Sequence, residues 1–537
     1  GDAIVFSFVG YTTFETSFDK QIKADITMVL STKENEEVVV IGYGTMKKKD
    51  LTGAVSVIKG DALRDRNSQD LVSSMRGLSS GMKITSSGLP GDQASIVIRG
   101  LGSLTNNYPL FVVDGVIGGE AQLNPADIET IQVLKDASSA AIYGSRAANG
   151  VVIITTKQGK DGPVRVQADA NLTVARLPRY DLMDATTWKK YDDMAYDEAI
   201  NSGVPGVTKR QNHYNGNTDW QDAMLSTGML QNYNVSLSGG SKGGKYFVSL
   251  NRLKDEGALY KTGYDRYAVR VNTSGQKGIF SYGQTFLYTK SNRQNLNGNP
   301  WADFIAISPT IPIKDPSHPG GYGYGNPDSA NNYGRNLVGM QDLLTQKNAE
   351  NILKGNIYGQ VSLFNKMVDA KLNIAYINYS GTTNTLRKTG NWTMGQGSDA
   401  SYLGYQNYKS DDILIEQTYN FKHKFGLHDI NALGGITYNT FQGQTNWTTK
   451  LSPLVIGDTY ITSLDAATGS TTGGSSYQKA ALISYLGRIN YSYNDKYLAQ
   501  VTMRRDGTSR LPENNRWGNF VSYSLGWRIS SEKFFNV

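Results

Sequence analysis

From about residue 163 to its end the chain repeats one pattern: apolar and polar residues alternate with a period of two. Within residues 481–493, Ala481, Ile483, Tyr485, Ile489, Tyr491 and Tyr493 share one face, and Ser484, Arg488, Asn490 and Ser492 share the other. Val368, Ala370, Leu372, Ile374 and Tyr376 oppose Asp369, Lys371 and Asn373; Val521, Tyr523, Leu525 and Trp527 oppose Ser522 and Ser524. We read about a dozen such strands, many near the ~9–11 residues that a tilted strand needs to cross a bilayer. The connections sharpen this. Short ones at 240–244, 273–278, 364–366, 426–429 and 494–496 alternate with longer ones. The long ones lie near 177–228, 292–350, 381–410 and 442–476, with lesser examples near 255–265 and 507–518. Short turns at one end and long loops at the other are what a membrane barrel requires, whereas a soluble sandwich has no reason to sort its loops by parity.

Composition agrees once this pattern is in view. A mean hydropathy of −0.41 and the lack of any long apolar run exclude a transmembrane helix. They do not exclude a barrel, because only alternate residues face lipid. The chain has 33 Tyr and 58 Gly, and tyrosine suits strands and membrane interfaces. Net charge is +7, from 54 basic and 47 acidic residues, and Lys47–Lys49 is the one short basic run, so nucleic acid is not an expected partner. With no cysteine and 4 scattered histidines, neither a disulfide framework nor a metal site is expected. No cofactor is expected either.

Residues 1–31 hold two or three short strands and read as the tail of a β-sandwich. Residues 32–47 are a polar linker carrying the apolar run Val38–Ile41. Residues 48–162 are a compact α/β region, in which short apolar strands alternate with helical stretches at SQDLVSSMRGL and DASSAAIYGSRAA. Residues 163–537 are the barrel part. The expected fold is therefore mainly β: a transmembrane antiparallel β-barrel, incomplete here, with an α/β domain and a β-sandwich tail. About a dozen strands are too few to enclose a domain of that size, since wide plugged barrels have about 22. There is no leader-like start, and the chain stops at SEKFFNV just after a strand. We therefore expect it to be cut at both ends.

Enzyme-like strings do not hold. Residues 239–245 spell GxxxxGK, but Tyr246 stands where a phosphate loop needs Ser or Thr, and the setting is strand–turn–strand. The run GYGYG at 321–325 lacks the strand–helix setting of a dinucleotide site. Asp114 and Asp136 fit turn and capping roles, and no Ser/His/Asp set has useful spacing, so no catalysis is expected. The run Val38–Ile41 either adds as an edge strand to another protein's sheet or packs within its own domain.

The segments EEVVVIGYGT, LTGAVSVI, SIVIRGLGS, YPLFVVDGV and NPADIETIQVLKDASSAAIYGSRAANGVVIITTKQGK follow one another in that order. Farther on come NTDWQD, NVSLSGGSKGGKYFVSLNRLKDEG, ISYLGRINYSYNDKYLAQVTMRRDGTSR and WGNFVSYSLGWRIS. Together they resemble the SusC/RagA-type TonB-dependent transporters over essentially the whole chain. The opening FSFVGYTTFE resembles the end of the carboxypeptidase-regulatory-like domain that often precedes the plug.

The resemblance implies active import of a nutrient, an oligosaccharide or a peptide, across the outer membrane of a Gram-negative, Bacteroidota-type cell. It implies TonB with its inner-membrane energising complex and a SusD-like lid lipoprotein as partners, and outer-membrane lipid around the barrel. Glu37, Val38, Val39, Val40, Ile41, Gly42 and Tyr43 would form the TonB-binding segment. Arg99 would pair with barrel carboxylates and hold the plug, a local salt bridge being the alternative. Trp301, Tyr322, Tyr324 and Tyr333 would stack on sugar rings, with loop packing as the alternative. A siderophore or vitamin receptor is the runner-up, and a surface adhesin the more distant one.

Overall fold

A computed structural model describes residues 3–6, 14–17, 38–42, 44–47, 50, 53–118, 122–136, 140–208, 214–241, 243–325, 334–393 and 400–535. Strands β1 (Ala3–Phe6) and β2 (Phe14–Ser17) pair antiparallel, as do β3 (Val38–Ile41) and β4 (Gly44–Lys47). The rest of the linker, with Glu37 and Tyr43, lies outside the described residues.

The α/β domain contains β5 (Val55–Lys59), β6 (Met82–Thr85), β7 (Ser95–Ile98), β8 (Leu110–Val113), β9 (Val116–Ile117), β10 (Ile128–Leu134) and β11 (Val151–Thr156). Five of these form a sheet in the order β5-β10-β11-β8-β9, with β8 and β11 parallel. Its strands are apolar on both faces because both are covered. One face packs on Leu63, Leu71 and Met75 together with Ala268 and Leu287 of the large sheet. The other packs on Ile142 and Tyr143 together with Leu433 and Leu486. At ~1.5–3 kcal/mol per fully buried large apolar side chain, these clusters stabilise the domain and its seat against the large sheet together.

Of the two expected helices, the first is shorter than the sequence pattern suggested and the second is broken before its end. The first shrinks to Leu71–Ser74, capped by Asp70, whose Oδ1 accepts the Ser73 N–H at 2.9 Å. The second includes the α-helical Ala140, whose N–H donates to the Asp136 carbonyl at 3.1 Å, and continues as a 3-10 turn, Ala141–Ala147, interrupted at Gly144 with φ 68°. A Cβ at Gly144 would lie 2.2 Å from the Asp506 carboxylate and 2.7 Å from Arg504 Nε. Docking against the large sheet therefore overrides the helical propensity of this stretch.

The large sheet has twelve strands, each antiparallel to the next. They are β12 (Gly162–Ala175), β13 (Gly228–Ser241), β14 (Gly244–Glu256), β15 (Gly263–Lys277), β16 (Phe280–Gln294), β17 (Leu344–Leu363), β18 (Val368–Arg387), β19 (Tyr402–Phe425) and β20 (His428–Leu451). A small hairpin, β21 (Val455–Ile456) with β22 (Thr459–Tyr460), interrupts the series. The sheet then continues through β23 (Thr471–Tyr493), β24 (Tyr497–Thr508) and β25 (Trp517–Trp527). Among the described residues β12 and β25 do not pair, so the barrel is open.

Short turns and long connections alternate as expected, but the strands are longer. β19 and β20 have 24 residues each, and together with β18 and β23 they run into both ends of the stretches expected as loops at 381–410 and 442–476. Most residues of these extensions are Thr, Ser, Asn, Gln or Gly, interspersed with Tyr402, Tyr405, Tyr408 and Trp447, so the period of two fades while the backbone ladder continues.

Burial on this sheet is the reverse of a soluble protein. On β13, Asn234 is 4% exposed whereas Val235 is 45% exposed. Arg270, Asn272, Asn356, Glu416 and Arg504 are buried, while Leu372, Ile374, Ile413, Ile436, Val501 and Leu525 face outward. The polar face is covered by the α/β domain, and the apolar face is left for lipid. No helix among the described residues is long and apolar enough to cross a membrane.

Candidate functional site

The polar face of the large sheet holds the α/β domain through buried, mostly charged contacts. Arg270 on β15 lies between two carboxylates of that domain, 3.3 Å from Asp127 and 3.7 Å from Asp114. Asp114 sits in a turn with φ 52° and accepts from the Thr156 N–H and hydroxyl, both at 2.8 Å. Burial pushes the Asp127 carboxyl up despite the guanidinium beside it. Asn272 donates to Thr156 Oγ1 and the Lys157 carbonyl, Lys354 to the Gly118 carbonyl, and Arg504 to the Ile142 carbonyl.

Arg99 does not belong to this seam. Its described ion pair is with Asp136 of its own domain, and both side chains are part-exposed. It follows β7 at φ 55°, which turns it away from the strand direction. The expected clamp is thus corrected to the local salt bridge. The charged residues that reach across the seam include the basic side chains Arg270, Lys354 and Arg504, at inward positions of the sheet strands. Their signal in the sequence was a charge placed among polar neighbours, which by itself does not tell a lining residue from a solvated one.

The two ends of the domain differ. At the short-turn end, the β3–β4 hairpin tucks its tip under the domain. Gly42 has φ 60°, and a Cβ there would come 2.9 Å from Ile142 Cγ2 and 3.3 Å from Arg488 Nη1. Met46 lines a cavity with Asp429, Ser492 and Asp495, beside two of the short turns. Asp50 then ties the entering chain to Arg528 at 2.6 Å. Val38–Ile41 is thus a strand hydrogen-bonded to β4.

At the long-loop end, the segment between β16 and β17 packs with the β12–β13 connection around a shared apolar core, which includes Trp220, Phe304, Ile311, Leu337 and Met340. Tyr322 belongs to this core. It is 5% exposed, its hydroxyl donates to Asp342, and Lys314 Nζ sits 3.4 Å above its ring. Its expected role as a sugar platform is therefore corrected to loop packing. Trp301 packs edge-on against Phe304 and Tyr180, and Tyr324 stacks on His318 at 4.1 Å. Tyr333 lies outside the described residues. The aromatics were visible in the sequence, but only folding shows that their partners lie in the same loop and in the β12–β13 connection.

The same end has a cavity of about 300 Å³ between the α/β domain and the sheet. Asp70, Asp92 and Gln122 line it from the domain, and Tyr264, Arg266 and Glu350 from the wall. Gln122 Nε2 bridges to Glu350 at 2.7 Å, and Arg293 pairs with Asp92 at 2.5 Å. No cluster of metal-binding side chains occurs among the described residues.

Residues 47–151 match the TonB-dependent Receptor Plug Domain. Over 99% of its length the chain is 33% identical to the TonB-dependent receptor SusC of Bacteroides thetaiotaomicron, of which it covers 55%. The chain belongs to the SusC/RagA type of TonB-dependent receptors. A second relative of this receptor, TonB-dependent receptor P26 of Formosa agariphila, is 30% identical over 99% of the chain and covered to 54%. The chain thus spans about half the length of the curated relatives it matches. Among solved structures, the RagAB peptide importer in an open-open state superposes with TM-score 0.74 at 23% identity, over 91% of this chain and 58% of that one. The ferric preacinetobactin receptor of Acinetobacter baumannii shares the fold more distantly, with TM-score 0.55 at 12% identity over 91% of this chain and 63% of that one. The α/β domain of this SusC/RagA-type receptor is accordingly its plug.

Proposed function

We propose that this receptor is part of an active importer that carries an oligosaccharide or a peptide across the outer membrane, energised by TonB and lidded by a SusD-like surface lipoprotein. In this scheme residues 1–31 end a carboxypeptidase-regulatory-like domain, 32–47 carry the TonB-reaching segment, 48–162 are the plug and 163–537 the barrel part. The long-loop end faces outward and receives substrate. The short-turn end faces the periplasm.

The observation that carries the proposal is the position of the β3–β4 hairpin. A four-residue strand, Val38–Ile41, ends at Gly42, whose backbone lies close against Ile142 of the plug at the short-turn end. Such a segment can leave β4 and add to a partner's sheet through its backbone. The outer membrane has no ATP and no proton gradient, so uphill import needs a mechanical link of this kind to the inner membrane. Glu37, Gly42 and Tyr43 flank the strand and belong to the same proposed segment.

The test is uptake and surface binding measured side by side in the full-length protein. Val39→Pro removes a backbone N–H and fixes φ, whereas Val39→Ala removes mainly side-chain contacts. Uptake should fail with Val39→Pro, persist with Val39→Ala, and binding should survive both. Normal uptake with Val39→Pro removes the segment from the mechanism. Joint loss of binding and uptake points to a strand that serves only its own domain.

A further inference from the structure

On its outward face the large sheet carries a cluster of cations at the long-loop end of β14–β17. Arg252, Tyr267 and Lys290 are direct neighbours across β14, β15 and β16. One step toward the long loops, Lys254, Asp265 and Asn292 stand in register, and one step further Glu256, Gly263, Gln294 and Lys347. These positions alternate with the buried Leu253, Arg266 and Ser291, so their side chains leave the sheet on the side away from the plug. Strands ~4.8 Å apart put Arg252 and Lys290 about 10 Å from each other at Cα. Arg252 is 3.7 Å from Asp265, and Lys254 is 2.6 Å from Glu256. Lys290 and Lys347 are exposed and have no carboxylate partner among the described residues. Four cations thus stand against two carboxylates. Farther round, the matching outward positions on β18–β20 are the neutral Ser380, Thr382, Asn407 and Asn446, and Lys409 is paired with Asp411 at 3.3 Å.

Toward the short turns the same face becomes apolar, with Val235, Leu250 and Val269 in one row. The exposed rings of Tyr233, Tyr267 and Tyr288 stand at the border, as aromatic side chains do where hydrocarbon gives way to headgroups. The cations therefore lie at headgroup level. Beside them a cavity of about 630 Å³ is lined by Lys254, Asn292, Gln294 and Lys347, with Lys261 and Thr262 from the β14–β15 connection. An acyl chain laid on Val235 and Leu250 brings its own headgroup to this groove, so a lipid gains apolar and ionic contacts from one molecule. At ~30 Å³ per water the groove has room for about twenty water molecules, far more than one phosphodiester fills. A sugar bearing phosphate spans the separated cations, and its hydroxyls suit the amides of Asn292 and Gln294, which both donate and accept.

We propose that this groove seats the phosphorylated sugar headgroup of a glycolipid in the outer leaflet of the surrounding membrane. Arg252, Lys254, Lys290 and Lys347 meet its phosphates, Asn292 and Gln294 its hydroxyls, and the apolar row its acyl chains. Basic side chains at a membrane surface attract anionic lipid, and salt weakens the attraction. The site is separate from any path through the pore, because its side chains lie on the opposite face of the sheet from the plug. It rests on the outward orientation of the long-loop end proposed above.

The test is native mass spectrometry of the full-length protein, stripped of lipid in detergent and titrated with four probes. They are phosphorylated lipid A, the same lipid A after phosphatase treatment, phosphatidylglycerol and inorganic phosphate. Phosphorylated lipid A should bind at least about tenfold more tightly than the other three. Lys290→Gln and Lys347→Gln should each weaken it about fivefold, and together about thirtyfold. Lys366→Gln, in a short turn at the other end, should leave it unchanged. Neither Lys290 nor Lys347 holds a carboxylate among the described residues, so the variants should fold, which circular dichroism checks. Equal binding of any other probe, or unchanged affinity in the folded double variant, overturns the proposal. Labelling of intact cells that places the long-loop end in the periplasm would overturn the orientation instead, whatever the purified protein binds.

Discussion

Arg270 is the residue on which the seat of the plug most depends. It reaches Asp114 and Asp127 from a strand of the wall, and its side chain is 3% exposed. Removing one partner of a buried pair leaves the other charge uncompensated, which typically costs ~3–5 kcal/mol. Arg270→Met should therefore loosen the plug, seen as faster proteolysis of residues 53–156 in the full-length protein, while Lys160→Met, which removes an exposed pair with Glu129, should change nothing measurable. Gly144→Ala should be at least as damaging, because φ is positive and the added carbon meets the Arg504–Asp506 pair. Asp342 gives a pH dependence. Burial works to raise its pKa, but hydrogen bonds from Lys261 and Tyr322 hold the carboxyl below the usual carboxylate range. A depressed folded-state pKa adds stability above the unfolded value and loses it as pH falls through the folded one. Protection of the 314–343 loop against hydrogen exchange, taken relative to the intrinsic rate at each pH, should thus stay constant from neutral pH down to about 4 and fall only below that.

Whole elements raise a different question, which is where each end of the sheet faces. Short turns at one end and long connections at the other predict opposite sides of the membrane. Cysteines placed at Ser317 and Thr472 in the full-length protein should react with impermeant reagents on intact cells, whereas one at Lys366, in the turn between β17 and β18, should not. All three positions are exposed, so a negative result reports sidedness and not burial. A reversed pattern sinks the orientation. Tyr322 would have been a natural labelling site from the sequence, but its place in the loop core would have hidden it.

At the scale of the whole molecule, twelve strands leave β12 and β25 unpaired with each other among the described residues. An unpaired backbone group in hydrocarbon costs several kcal/mol, so free edges do not persist in lipid. Expressed by itself, the 537-residue chain should fail to give the heat-resistant, protease-resistant species that closed barrels form in detergent. Recovery of such a species as a monomer would mean that the edges find each other.

The alternation of residues 481–493, the parity of the connections and the order of the plug strands were all legible along the chain, because strand period and turn placement are local properties. The short Val38–Ile41 strand was legible for the same reason. Which face of each strand is buried was legible only indirectly, through the parity of the connections, since a period of two is the same for a soluble sandwich and a barrel; the plug lying against Asn234, Arg270 and Arg504 shows it directly. Likewise nothing local distinguishes Arg99, which turns back to Asp136, from Arg270, which spans the seam. The helix expected through Gly144 yields to a contact 360 residues away in sequence, at Arg504 and Asp506. The mixed lining of the long-loop-end cavity, drawn from β15, β16, β17 and the plug, exists only when those elements meet. Period and propensity set the elements of this receptor, and long-range packing in an inverted, polar interior set its partners and its site.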